Sequence, residues 1–166
     1  ISEYGRLDVL VNNAGFTMTK PILECTEQDW DDVFNINLKS MFVTCVAAIP
    51  HMQKRGSGRI INISSVHSQI HYANHVLYGS TKGGINEFTR GLVTELGPGD
   101  ITANVIAPGA IYVERYERTG VNEDAMTASI PSGRVGDVRD IAGTALFLAS
   151  PDAAYVNGEV IFVDGG

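Results

Sequence analysis

Residues 59–96 read RIINISSVHSQIHYANHVLYGSTKGGINEFTRGLVTEL, and the change of period within them decides the fold. Arg59 to Ser64 is a short, nearly continuous apolar run rich in isoleucine, the pattern of a strand covered on both faces. From about Val76 to Leu96 the residues Ile85, Phe88, Leu92, Val93 and Leu96 recur at helical spacing, and Gly97-Pro98-Gly99 stops them. A strand that feeds a long helix is the start of a crossover unit, the connection that parallel strands require.

The same alternation extends in both directions. Leu7 to Asn12, Thr102 to Ala107 and Val160 to Val163 read as further strands, four in all with Arg59 to Ser64. A helix starts at Thr26, where Asp29 completes a capping box and Glu27, Asp31 and Asp32 favour the positive end of the dipole. Trp30, Val33, Phe34, Leu38, Met41, Phe42, Cys45, Val46 and Ile49 give that helix one apolar stripe, which runs to about Lys54 and stops at Gly56. A third helix spans about Val138 to Ala149, with Ile141, Ala145, Leu146 and Leu148 expected inward and Ser150-Pro151 as its end. The fold class is therefore α/β, a parallel sheet of four strands with crossover helices. The long stretch from Ile111 to Val135 is expected to be a functional or mobile loop.

At 166 residues the chain is expected to form a single domain. A net charge of -7 disfavours nucleic acid and anionic membranes as partners. No uninterrupted apolar run reaches the roughly 20 residues of a bilayer span. Two cysteines, Cys25 and Cys45, make no disulfide framework, so the expected compartment is the cytoplasm. The chain opens on Ile1 just ahead of a strand and closes on Val163-Asp164-Gly165-Gly166, and the expectation is a piece of something longer.

Tyr78 and Lys82 stand four apart on one helix, hence on one face. A free phenol, with a pKa of about 10, is a poor base near neutrality, and an adjacent ammonium favours its ionised form. Such a pair can exchange protons with a substrate, although a packed ring with a lysine stem beside it has the same spacing. Ser65 lies at the carboxyl edge of the second strand, 13 residues before Tyr78, where open α/β folds bind ligands. Asn37 falls on an apolar stripe, where an amide needs a partner. Asn12-Asn13-Ala14-Gly15 and Pro108-Gly109 close two further strands with small residues against which a flat ligand can lie.

Taken together, Asn12-Asn13-Ala14-Gly15, Asn37, Ser65, Tyr78-x-x-x-Lys82, Pro108-Gly109 and Val163-Asp164-Gly165-Gly166 resemble the short-chain dehydrogenase/reductase family over essentially the whole chain. The resemblance implies the C-terminal portion of a Rossmann-type doubly wound sheet and an NAD or NADP cofactor. It implies a catalytic tetrad of Asn37, Ser65, Tyr78 and Lys82, in which the tyrosine exchanges the proton and the serine orients the carbonyl. The lysine assists the tyrosine and binds the nicotinamide ribose, and the asparagine supports a water chain to the lysine. Asn13, Ala14, Gly15, Tyr78, Lys82, Pro108, Gly109 and Ile111 are the implied cofactor contacts, and a homodimer or homotetramer is the implied assembly. Two departures stand out. Val113 occupies a position where the family usually has a threonine, and no Gly-x-x-x-Gly-x-Gly phosphate loop precedes Leu7. Residues 1–166 by themselves are therefore expected to bind cofactor poorly and to expose Leu7 to Asn12 as an apolar, aggregation-prone edge.

Ser64-Ser65-Val66-His67 and Tyr78-x-x-x-Lys82-Gly83-Gly84 look like the glucose and polyol dehydrogenase branch, with 3-oxoacyl reductases as the near alternative. Charges at Glu114, Arg115, Glu117 and Arg118, in the loop from Tyr112 to Thr119, favour a polar substrate such as a sugar or polyol. Ser65, His67 and Tyr78 are the expected substrate contacts. His67, His71 and His75 repeat every four residues, but the run bridges strand and helix, so no metal site is expected. Asn62-Ile63-Ser64 matches a glycosylation acceptor inside a buried strand and is set aside. A non-catalytic nucleotide-binding relative is an alternative that an intact tetrad disfavours. A serine hydrolase built on Ser65 lacks a nucleophile elbow.

Overall fold

The structure, a computed structural model, describes residues 3–113 and 127–166. Four parallel strands form one sheet in the order of the chain: β1 (Val9–Asn12), β2 (Ser57–Ile63), β3 (Asp100–Pro108) and β4 (Val160–Val163). Ile60 pairs with Leu10 and with Ala103, and Ile106 with Ile161, so the register carries every strand to a common carboxyl rim.

Alternate residues of each strand serve opposite faces, as the pleat requires. Ile60 and Val105 face a core built with Met41, Cys45, Met52 and Ile85, beneath two helices. Ile61 and Ile106 face the other core, under Leu148 of a third helix. This is why β2 and β3 read as unbroken apolar runs. The edges differ from the centre: β1 pairs on one side only, and its Val11 is about half exposed.

The first helix is more segmented than its sequence suggests. Helix α1 (Glu27–Phe34) begins with the expected capping box, in which Thr26 and Asp29 bond each other's backbone N–H. A single π-helical turn, Asn35–Lys39, then joins it to α2 (Ser40–Arg55), which ends on left-handed Gly56. The wider turn adjusts the phase so that Val33, Asn37, Met41, Cys45, Ala48 and Met52 form one buried line. Trp30, Phe42 and Val46, expected in the same stripe, lie about half exposed, because one helix face cannot turn so wide an arc to a flat sheet. Glu27–Arg55 is long and apolar enough, at a mean hydropathy of 1.4, to cross a membrane by composition alone. Here its buried line packs on the sheet, and carboxylates occupy its first turn.

Helix α3 (Val76–Leu96) and helix α4 (Val138–Ala149) have the bounds read from sequence. Within α4, Ile141, Ala145 and Leu148 point inward, but Leu146 is 74% exposed. It stands one residue, about 100° of arc, off the buried line. The described ends of the long segment are tied together, since Ile111 bridges Gly136 and Tyr112 N–H donates to the Gly136 carbonyl at 2.7 Å. Glu114, Arg115, Glu117 and Arg118, on which the polar-substrate expectation leaned, lie outside the described residues.

Candidate active site

All four strands deliver their last residues to one rim, and two adjoining clefts open there. The smaller, about 240 Å³, is lined by Asn13, Gly15, Lys82, Pro108, Gly109 and Ile111 among others. The larger, about 700 Å³, takes in His67, Ile70, Tyr72, His75 and Asp164. Ser65, Tyr78, Thr17 and Gly109 line both, so the serine and the tyrosine stand at the junction.

Lys82 is only 4% exposed. Its Nζ donates to the Ile63 carbonyl at 2.9 Å and sits 5.6 Å from the centre of the Tyr78 ring. Burial lowers its pKa to about 8, because the charged form loses hydration that one carbonyl does not replace. Two of the three ammonium protons have no partner among the described residues, which suits a ligand bearing hydroxyls.

Asn37 is 2% exposed, and its amide is engaged by protein. Its Oδ1 accepts from Phe16 N–H at 2.9 Å, while Nδ2 donates to the Phe16 carbonyl at 3.0 Å and to Thr81 Oγ1 at 3.2 Å. Thr81 Oγ1 in turn donates to the Tyr78 carbonyl at 2.7 Å. The π turn thus carries a clamp that ties the loop after β1 to the first turns of α3. Gly15 marks where these parts converge: a Cβ there would lie 3.2 Å from Asn37 Oδ1 and 3.6 Å from Lys82 Nζ. A side chain at that position would fill the smaller cleft.

Two neighbouring serines end β2, and the structure separates them. Ser64 Oγ donates to the Lys82 carbonyl at 2.8 Å and is buried, tying the strand end to α3. Ser65 Oγ accepts from His67 N–H at 3.2 Å and lines both clefts, with its own proton uncommitted among the described residues. His67 is half-buried and stacks at a tilt on Tyr72 and on His75, each at 4.9 Å, and edge-on to Tyr78 at 5.2 Å. Burial, then the nearby His75 and His71, lowers its pKa. His75 commits both ring nitrogens, Nδ1 to the Ala73 carbonyl at 2.8 Å and Nε2 to Thr19 Oγ1 at 3.0 Å.

Of the residues singled out in the sequence, the rim gathers Asn13, Gly15, Ser65, His67, Tyr78, Lys82, Pro108, Gly109 and Ile111. Asn37 stands behind it, against Gly15. Ala14 is exposed and lines neither cleft, since adjacent residues in an extended segment point opposite ways. Val113 does line the smaller cleft, and brings no hydroxyl there. Sequence reasoning passed over Thr17, Tyr72 and Thr81, and gave Asp164, read within a motif, no role of its own. Thr81, three residues after Tyr78 on the same helix, had a signal in its spacing, whereas Tyr72 sits in a turn with none.

The comparisons with known proteins converge on one family. The sequence model of the family described as enoyl-(acyl carrier protein) reductase matches residues 1–166. The chain is 38% identical over 167 residues to the 3-oxoacyl-(acyl-carrier-protein) reductase of Vibrio cholerae, covering 99% of this chain and 68% of that one. It superposes with a TM-score of 0.93 on a gluconate 5-dehydrogenase from Burkholderia cenocepacia solved with NADP and tartrate, at 36% identity over 99% of this chain and 66% of that one. A 7α-hydroxysteroid dehydrogenase complexed with NADH and 7-oxo glycochenodeoxycholic acid gives 0.94 at 35% identity, covering 100% of this chain and 66% of that one. The chain thus spans about two thirds of the length of these relatives, with a Rossmann-like sheet and a tyrosine, a lysine and a serine gathered at its carboxyl rim. It belongs to the short-chain dehydrogenase/reductase family.

Proposed function

We propose that this protein is an NAD(P)-dependent oxidoreductase that interconverts an alcohol and a carbonyl, acting in the cytoplasm on a sugar or polyol. The observation that carries the reading is the junction of the two clefts, where Ser65 and Tyr78 stand beside a buried Lys82. The relatives support the chemistry, since they are named for a 3-oxoacyl-(acyl-carrier-protein), a sugar acid and a hydroxysteroid, and the latter two were solved with NADP and NADH.

When bound, the nicotinamide supplies or accepts the hydride. The chain's own residues handle binding and the proton. Asn13, Gly15, Pro108, Gly109 and Ile111 offer a cleft in which a flat ring can lie, and Ala14 stands between two of them. The free protons of Lys82 suit ribose hydroxyls. In the reducing direction Tyr78 gives its phenolic proton to the carbonyl oxygen, while the uncommitted Ser65 hydroxyl holds that oxygen in place. In the oxidising direction the ionised Tyr78 takes the alcohol proton, and Ser65 holds the same oxygen. Asn37 completes the tetrad by fixing Phe16 and Thr81, and the second lone pair on its Oδ1 is the place for a water leading toward Lys82. Exposed apolar side chains along α1, the π turn and α2, among them Trp30, Ile36, Phe42 and Val46, support a homo-oligomer.

A 3-oxoacyl thioester is the second substrate reading, favoured by the identity to the Vibrio cholerae reductase. Turnover of sugars, polyols and 3-oxoacyl thioesters with each cofactor decides between the two. Tyr78→Phe should lower kcat by roughly 10²–10⁴-fold while cofactor affinity, read by nicotinamide fluorescence, stays near normal. Retained turnover would remove the tyrosine from its role.

A further inference from the structure

Among the described residues, His67 is the one half-buried imidazole in the larger cleft whose ring is held in place but whose nitrogens have no hydrogen-bond partner. Among the described residues its only hydrogen bond as a donor runs from the backbone N–H, to Ser65 Oγ at 3.2 Å. His75, in contact with it at 4.9 Å, has both nitrogens bonded. Tyr72, His75 and Tyr78 surround the His67 ring, so it has little rotamer freedom left to lose on binding. Burial and the neighbouring histidines favour the neutral ring, which presents one N–H donor and one lone pair. A hydroxyl group is the ligand that matches such a pair, because it too donates and accepts.

The position of the ring selects which hydroxyl. It lines the same cleft as Ser65 and Tyr78, with its centre 5.2 Å from that of the Tyr78 ring. The nearest polar group a substrate can offer there is a hydroxyl on the carbon adjoining the reacting one. We propose that His67 is a specificity-determining residue that hydrogen-bonds this adjoining hydroxyl, so that vicinal diols and α-hydroxy carbonyls are preferred over their deoxy counterparts. The proposal rests on the alcohol–carbonyl reading of the site. A 3-oxoacyl thioester offers carbonyl acceptors but no hydroxyl, and would leave the imidazole lone pair without a donor, at a cost in transition-state binding.

The test uses butane-2,3-diol and butan-2-ol, which share a carbon skeleton, each oxidised with NAD or NADP. The wild-type enzyme should favour the diol in kcat/KM by about 10- to 100-fold. In His67→Phe, which keeps a ring among its three neighbours, that preference should collapse to within about threefold through loss on the diol, and His67→Gln should restore part of it. Equal losses on both alcohols, or no preference in the wild type, would overturn the proposal. A second readout needs no turnover. In Tyr78→Phe saturated with cofactor, the ring ¹⁵N resonances of His67 should move on adding the diol and stay still with butan-2-ol, and an unmoved signal with the diol likewise overturns it. Absence of any NAD(P)-linked alcohol or carbonyl turnover by the wild type would instead strike the oxidoreductase reading, so the two failures are told apart.

Discussion

Helices α3 and α4 cover opposite faces of the same sheet, yet they bury opposite kinds of side chain. Helix α4 turns Leu148 into the sheet, flanked by Ile141 and Ala145, and none of its polar side chains is fully buried. Helix α3 buries Thr81, Lys82, Asn86 and Thr89 alongside Leu77 and Ile85. Most of those polar groups are paired through the fold. Thr89 Oγ1 accepts from Asn62 Nδ2 at 2.9 Å, Asn62 Oδ1 accepts from Asn12 Nδ2 at 2.8 Å, and Asn12 Oδ1 accepts from Thr44 at 2.6 Å. One helix therefore contributes packing alone, while the other gives up apolar burial to hold a lysine and a tyrosine at the rim. A buried polar network is tolerated when its members satisfy one another, and it then fixes position more narrowly than hydrocarbon contacts do.

The contrast can be broken at either helix. The largest effect belongs to Tyr78→Phe, whose loss lies in rate and leaves the unfolding transition in place. Leu148→Ala should do the reverse: about 2–5 kcal/mol less stability in urea, with kcat per folded molecule unchanged. Equal loss of kcat in both variants would mean that the division of labour is false.

Lys82 gives the comparison a pH axis. Its folded pKa is about 8 against the ordinary lysine value of 10.5, so the unfolded chain holds the extra proton between those values. Stability of the cofactor-free protein therefore gains a contribution as pH rises from about 8 towards 10.5, and that contribution is lost as pH falls through 8. The full span is worth about 3 kcal/mol. Lys82→Met should flatten this part of the profile and raise stability at pH 7, as measured by denaturant midpoints across pH. No change in the profile would mean that the ammonium is hydrated after all.

The smallest of these effects tests the network behind the pair. Asn62→Ala leaves Asn12 and Thr89 without their shared partner, and should cost about 1–3 kcal/mol in unfolding experiments. Asn62→Leu, which fills the space, should cost no less, since it removes the same two hydrogen bonds. If leucine proves neutral, hydrogen bonding at this position contributes little and the packing volume is what counts.

Much of this was legible residue by residue. The bounds of α3, α4 and β4, the capping box at Thr26 and the stop at Gly56 follow from period and end signals, which are local. Trp30, Phe42, Val46 and Leu146 were misplaced, because a stripe drawn on a helical wheel says which residues are apolar but not how wide an arc the sheet can cover. The π turn had no signature either: nothing in Asn35 to Lys39 announces a wider helix. At the site, Tyr78 and Lys82 were readable because they share one helix face. The choice between Ser64 and Ser65 depended on motif, and only the hydrogen bond from Ser64 to the Lys82 carbonyl gives it a physical basis.

The sequence by itself determined the succession of strands and helices, the four-residue spacing that sets a phenol above an ammonium, and the small residues that close β1 and β3. These depend on neighbours in the chain, and short-range geometry is encoded there directly. The tertiary structure decided which polar groups lose water and which find partners: the single carbonyl that leaves Lys82 short of hydrogen bonds, the clamp of Asn37 on Phe16, and the open nitrogens of His67. Those properties come from residues tens of positions apart meeting in one low-dielectric place, and the desolvation that creates them exists only once the chain has closed around them.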